Sequence, residues 1–512
     1  MTFLPIVQRE LRVAARRKGT FVIRAAVAFL GIVMGGCLLA ACEFGGLPAQ
    51  RAGAEIFGTL SWYTWMLSLL AGVFLASDCL SEERREGTLG LLFLTDLKGY
   101  DVVLGKVAGV AINAFYGLLA VLPVLSLCML TGGVSWAEFW RTCLALVNTL
   151  FFAVAGAIWM SANCRSGYRA VTGSIALLVA FLALTSIAAA LATVASRFGT
   201  ALFYAGATSP MEAFRVAAAA DYAHQVAAYW ISLGMSHLAG WVFLGLASWR
   251  LKHFAESAQS SGVWQRALTR NILTGGAKRR TELLDINPVL WLLDDFRRLR
   301  WVVWALALAG AGALIFISVK WPTEAVVSRV FMAWPFYFLL KLFFGVQACR
   351  FFSEARRTGA LELLCCTPLT IQAMIRGQWQ ALRRIFLWPV VVLVAVQFVC
   401  MLPTVFPDAS ARISLVGRGR VWSFNFLDSI QMFDAIVDFF ALGWFGMWSA
   451  LSFKKPGTAT GLTLLWVLIL PAILYCIPSL VTNTVLIIVG YSKLQQYTRR
   501  GRPDWKGASF PA

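Results

Sequence analysis

The chain has 512 residues, 59% of them hydrophobic and only 14% charged, with a mean hydropathy of +0.72. This composition excludes a soluble enzyme, and runs of about 20 apolar residues make the chain membrane-spanning. The net charge of +20 by itself suits a nucleic-acid partner, but Lys and Arg sit in short loops flanking apolar runs, as the positive-inside rule predicts, and no nucleic acid is expected.

In chain order, residues 5–18 (PIVQRELRVAARRK) set apolar side chains at helical spacing beside charges. That is the pattern of a helix lying in the membrane interface. The first half then predicts spans at about 21–42, 57–77, 104–131, 138–161, 170–195 and 224–248. The first of these ends in Leu39-Ala40-Ala41-Cys42, which resembles a lipoprotein cleavage box. It is read as a span, because the second half opens in a comparable way with no such box. Residues 1–253 form the first unit and 254–286 a cytoplasmic linker, rich in basic residues and glycine. Residues 287–512 form the second unit.

The second unit opens with another amphipathic lead-in at 288–300 (PVLWLLDDFRRLR). Spans follow at about 301–319, 327–347, 385–405, 430–453, 459–476 and 478–492. Pro471 and Pro478 leave the last two open to being a broken helix or a re-entrant segment. The fold class expected is all-α: a polytopic membrane protein of about 12 transmembrane helices, in two parallel six-helix repeats with short cytoplasmic amphipathic helices. Most of the 45 Lys and Arg then fall on one side with both termini. That predicts a multi-pass protein of the cell inner membrane with both termini cytoplasmic.

A repeat singles out two cytoplasmic inserts. Residues 81–105 and 353–377 share, at one constant offset, the identical pairs Ser81/Ser353, Glu82/Glu354, Arg84/Arg356, Arg85/Arg357, Gly87/Gly359, Leu89/Leu361, Leu91/Leu363, Leu92/Leu364, Thr95/Thr367, Leu97/Leu369 and Gly105/Gly377. Repeat copies this far apart mean a duplicated module. Each copy is a charged run followed by leucines too few to span a bilayer and too apolar to be left in water. A short surface helix offering an apolar patch to a partner accounts for both properties. Packing against the membrane is the plainer alternative.

Polar residues inside spans are the other candidates. Lys341 lies within the eighth span, Asp434 and Asp438 lie four apart near the outer end of the tenth, and His237 lies midway through the sixth. Such residues mark a translocation path or form internal hydrogen bonds and snorkels. Asp434 and Asp438 also fit a helix entrance, where acids are favourable. No dense polar lane runs through the spans, which points to an apolar or amphiphilic cargo. The eleven Cys show no C-x-x-C spacing and read as small apolar fillers.

The order of these segments resembles the permease subunits of ATP-binding-cassette transporters of the type-2 export class. The resemblance rests on a lead-in helix, two spans, a Glu-rich run with Gly87-Thr88-Leu89-x-Leu91-Leu92-x-x-Thr95-x-Leu97, then Gly105-Lys106 opening the third span. Pro210 with Met211-Glu212-Ala213-Phe214 is similar to the family's external segment. The family usually has proline where this chain has Asp96. The second copy restores it as Pro368 but carries Ala360 for Thr88 and Gln378 for Lys106.

The resemblance implies a membrane component of an exporter driven by separate cytoplasmic ATPase subunits, two of them for two fused six-span units. It implies docking of those subunits by coupling helices after spans 2 and 8. The residues concerned are Glu83, Gly87, Thr88, Leu89, Leu91, Leu92, Thr95 and Leu97 in one copy. In the other they are Glu354, Gly359, Leu361, Leu363, Leu364, Thr367, Pro368 and Leu369. The chain itself has no G-x-x-x-x-G-K-[ST] and no H-E-x-x-H. It is therefore expected to be no enzyme and to bind no cofactor, with ATP and Mg held by the partner. The alternative is a membrane assembly or mechanotransmission protein driven by the same kind of ATPase without moving cargo.

Overall fold

The computed structural model describes residues 7–9, 12, 18–44, 48–87, 98–164, 167–192, 208–258, 289, 297–320, 325–367, 369–405, 415–453, 456–473 and 479–500. Most of both lead-ins and of the 254–286 linker lies outside them. Contacts divide the chain into two compact units, Met1–Trp264 with Ile473–Cys476, and Gln265–Ala472 with Ile477–Ala512. Both units are helical, and the described residues contain no strand.

The first unit contains α1 (Lys18–Phe44), α2 (Ala49–Ala76), α3 (Cys79–Glu86), α4 (Gly99–Leu119), α5 (Leu122–Thr131), α6 (Trp136–Asn163), α7 (Gly167–Ala192), α8 (Pro210–Val216), α9 (Ala219–His224) and α10 (Val226–Ala258). In the second are α11 (Arg297–Lys320), α12 (Ala325–Arg357), α13 (Ala360–Cys365), α14 (Ile371–Val405), α15 (Leu415–Ser452), α16 (Pro456–Leu464), a π-helical turn (Leu465–Ile469), α17 (Leu470–Ile473) and α18 (Ser479–Arg500).

Among the described residues, nine helices are long and apolar enough to cross a membrane. In lipid a chain can span only where each backbone N–H and C=O is paired internally, and a continuous helix does this. The protein is thus a multi-pass membrane protein. The nine cover the second to sixth spans expected in the first half and the first four of the second. The other three expected spans are not among the nine. Among the described residues, shorter apolar helical stretches, Val27–Ala40 and Gly457–Leu468, overlap 21–42 and 459–476. The segment at 478–492 lies in α18, whose sequence SLVTNTVLIIVGYSKLQQYTRR carries polar residues along its length.

Prolines explain two departures from straight spans. The expected span 104–131 is two helices, because Pro123 sits in the first turn of α5 and cannot extend α4 through its missing N–H. In the second unit the π-helical turn immediately precedes Pro471 in α17. A proline frees a carbonyl one turn upstream, and a π-turn is one way a helix absorbs that loss.

The long helices pack in the same sequence in both units. In the first, α2 lies on α6 and α6 on α10; in the second, α12 lies on α15 and α15 on α18. Phe152, Ala153, Val154, Ala155, Ala157 and Ile158 are fully buried, which makes α6 the centre of its unit. Small residues let the backbones approach. A Cβ on Gly72 of α2 would stand 2.5 Å from Ala153 Cβ and 2.9 Å from Val154 N of α6. Gly490 of α18 stands in the same relation to the α15 backbone, 2.8 Å from Phe445 N. Such close contacts hold helices together where lipid removes the hydrophobic drive.

Gly72→Leu is expected to destabilise the first unit by about 1–3 kcal/mol, the usual result of overpacking. Gly58→Leu on the same helix is the control, because a Cβ there meets nothing within 4 Å. Thermal unfolding in detergent reads the difference. Equal melting of the two variants would mean that this close approach does not hold α2 to α6.

Candidate functional site

In the first insert, α2 ends at Ala76 and the chain turns through Ser77 and Asp78 into α3. The first amides of a helix have no partner within it. Here Leu80 N and Ser81 N donate to Ser161 Oγ of α6, at 3.1 and 3.0 Å. Arg84 Nη1 reaches Ala162 O at 3.4 Å, in the last turn of α6, where a cation complements the negative end of the helix dipole. Gly87, with φ of 75°, ends α3 in the left-handed conformation that a side chain would resist.

Glu83 does not face outward from this insert. Its carboxylate accepts from Lys106 Nζ of α4 at 2.7 Å and from Arg9 Nη2 at 3.2 Å. The side chains of Glu83 and Lys106 are 12% and 9% exposed. Glu83 thus ties α3 to α4 and to the N-terminal segment. Thr88, Leu89, Leu91, Leu92, Thr95 and Leu97 lie outside the described residues.

The second insert repeats part of this geometry. Arg356 Nη1 donates to Leu451 O at 2.5 Å, again in the last turn of the long central helix, here α15. Gly359 has φ of 73° and precedes α13. The leucines of α13 then divide between two faces. Leu361 is buried, and Leu364 and Leu369 pack against the cluster of Phe351, Phe352, Met374 and Met447. Leu363 is 72% exposed, beside exposed Glu362, Cys365 and Cys366. Thr367 is exposed and donates to Leu364 O at 2.6 Å, while Glu354 is half-buried one turn before Gly359. Pro368 lies outside the described residues.

One relation was hidden in the sequence. At the offset of the repeat, Glu83 is matched by Ala355 and Lys106 by Gln378. The two residues of the ion pair are both replaced. Gln378, also buried, donates instead to Gln347 O at 2.9 Å. The alignment of copies contains both changes, but only the fold puts the two positions in contact.

Of the membrane-embedded candidates, Lys341 and Asp438 come together. Lys341 Nζ of α12 pairs with Asp438 Oδ2 of α15. Asn483 Nδ2 of α18 donates to the other carboxylate oxygen. One turn away, Ser479 Oγ donates to Asp434 Oδ1 at 2.6 Å. Three helices are therefore joined by one polar cluster. Asp434 and Asp438 are not at a helix entrance: α15 starts at Leu415, several turns earlier, so the dipole of a helix N-terminus does not reach them.

His237 belongs to the first unit. Trp241 Nε1 donates to His237 Nε2 at 3.1 Å, which leaves the Nδ1 proton to bond Asn148 Oδ1 at 3.1 Å. Asn148 Nδ2 in turn donates to Ser236 Oγ at 2.6 Å, and Phe151 stacks on the imidazole. The external segment at Pro210 is α8. Ser209 caps it by accepting from Met211 N, and Ser232 of α10 donates to Ser209 O at 2.6 Å. No protein-family model matches this chain, and no curated protein matches it significantly.

Proposed function

We propose that the chain is the membrane-spanning permease of an ATP-driven exporter of the ATP-binding-cassette type. It has twelve spans in two parallel six-helix repeats and works with two separate cytoplasmic ATPase subunits that hold ATP and Mg. The observation that carries this reading is the recurrence of one local geometry in both inserts. Each has a left-handed glycine, Gly87 or Gly359, and an arginine on the last turn of the central helix, α6 or α15. A partner that pushes on either insert is thereby linked to a long, largely buried helix of its unit. The matching order of helix packing supports the duplication.

On this reading the ATPase contact on the second insert is the outward face of α13, centred on Leu363. Leu361, Leu364 and Leu369 serve instead to seat the helix, because they pack inward. Leu363→Glu is expected to leave the unfolding temperature unchanged and to cut co-purification of the cognate ATPase about tenfold or more, as loss of a central apolar anchor does. Undiminished co-purification would sink the docking claim for α13.

A mechanotransmitter that moves no cargo is the second reading. It is favoured by the internal pairing of the membrane-embedded polar groups, Lys341 with Asp438 and His237 with Asn148. Reconstituted vesicles separate the two readings: a permease couples ATP hydrolysis to flux of a cargo, and a mechanotransmitter hydrolyses ATP with none.

A further inference from the structure

The polar cluster of the second unit contains two carboxylates, Asp434 and Asp438, and one ammonium, Lys341. Both acids lie in the membrane-crossing stretch Met432–Ser452 of α15. Lys341 pairs with Asp438. The partner of Asp434 among the described residues is the hydroxyl of Ser479, at 2.6 Å, and a hydroxyl carries no charge. One helical turn separates the two acids, which sets their Cβ atoms about 5–6 Å apart. With both acids ionised, the cluster carries one negative charge in excess. Such a charge inside a membrane is costly until a counterion or a proton offsets it.

A second observation concerns Asn483, which is fully buried and directed into this cluster. An ionised carboxylate can only accept, so the amide turns its Nδ2 to Asp438. That fixes the other end of the group. Asn483 Oδ1 is left as a buried carbonyl oxygen with no hydrogen-bond partner. A buried acceptor of this kind destabilises the fold unless a donor or a cation meets it. Ser479 and Asn483 are again four apart, on α18, so Ser479 stands against Asp434 and Asn483 against Asp438.

We infer that this cluster binds one alkali cation, held by Asp434, Asp438 and the carbonyl oxygen of Asn483. All three donors are oxygens, the ligands that hard cations take. The charge selects a monovalent ion. One positive charge brings two acids and one ammonium to neutrality, and a divalent ion overshoots. The site stands apart from the export reading, because ion binding is a property of the chain without any ATPase.

Thermal unfolding of the full chain in detergent is followed at constant ionic strength while N-methylglucamine chloride is replaced by sodium or potassium chloride. At least one of the two should raise the unfolding temperature saturably, by about 3–6 °C at ten times its Kd for a unit of this length. Asp434→Asn keeps the shape of the acid and an acceptor for Ser479. It should abolish the rise. In N-methylglucamine alone it should unfold no lower than the unmodified protein, because it removes an uncompensated charge; a lower temperature there marks Asp434 as structural only and overturns the proposal. No effect of either salt on the unmodified protein also overturns it, and leaves the Asn483 oxygen to a buried water. So does a rise that persists in Asp434→Asn. A rise on acidification with none from sodium or potassium overturns it as well, since a proton then supplies the missing charge.

Discussion

Lys341→Met is expected to destabilise the second unit by about 3–5 kcal/mol, at the upper end of what single substitutions cause. The reason is the charge left behind. Asp438 is 4% exposed, and without Lys341 the hydrogen bond from Asn483 is what remains to hold its carboxylate in the negative form. The double variant Lys341→Met, Asp438→Asn removes both charges, keeps the shape of the acid, and should recover most of the loss. Burying two charges costs roughly what their attraction returns, so removing both together is close to neutral. Thermal unfolding of the three proteins checks this. A single variant as stable as the unmodified protein would show that the pair is not a staple between α12 and α15. Flux in the double variant then decides whether the same charges also serve cargo.

Glu83→Ala and Lys106→Gln should each destabilise the first unit by roughly 1–3 kcal/mol, and the two together by less than the sum. The double variant copies the second unit, where Ala355 and Gln378 occupy these positions. Lys106 is 7% exposed, so Glu83→Ala removes a carboxylate partner from a buried ammonium. The second substitution removes that ammonium and supplies the amide that Gln378 uses in its own unit. A double-mutant cycle on unfolding temperature measures the coupling. Strict additivity would mean that the 2.7 Å contact of Lys106 with Glu83 carries no coupling energy. Arg9 is over half exposed, and its share is screened by solvent. If the two inserts take unequal parts in docking a partner, this tether is one structural difference between them among the described residues.

Helical class and most of the spans were legible because hydrophobicity over about 20 residues is a local property, independent of what a helix packs against. The left-handed turns at Gly87 and Gly359 were not read from the sequence, although glycine at the end of a charged helical run is a standard stop. Nor was it legible which leucines of the second insert face out. Leu361, Leu363 and Leu364 are alike as residues, and only the position of Phe351, Phe352 and Met447 decides that Leu363 alone is exposed. The partner of Glu83 was not legible for a related reason: Lys106 arrives from another helix to cover it.

Composition and repetition are enough to show that this protein crosses a membrane several times and carries the same insert twice, because neither requires a partner to be read. Pairing was decided by tertiary structure alone. Lys341 and Asp438 lie on different helices far apart in the chain, and so do Arg356 and Leu451. Burial of a charge is tolerated only with its counterpart in reach. Which counterpart is in reach depends on how α12, α15 and α18 pack, a property no single segment contains.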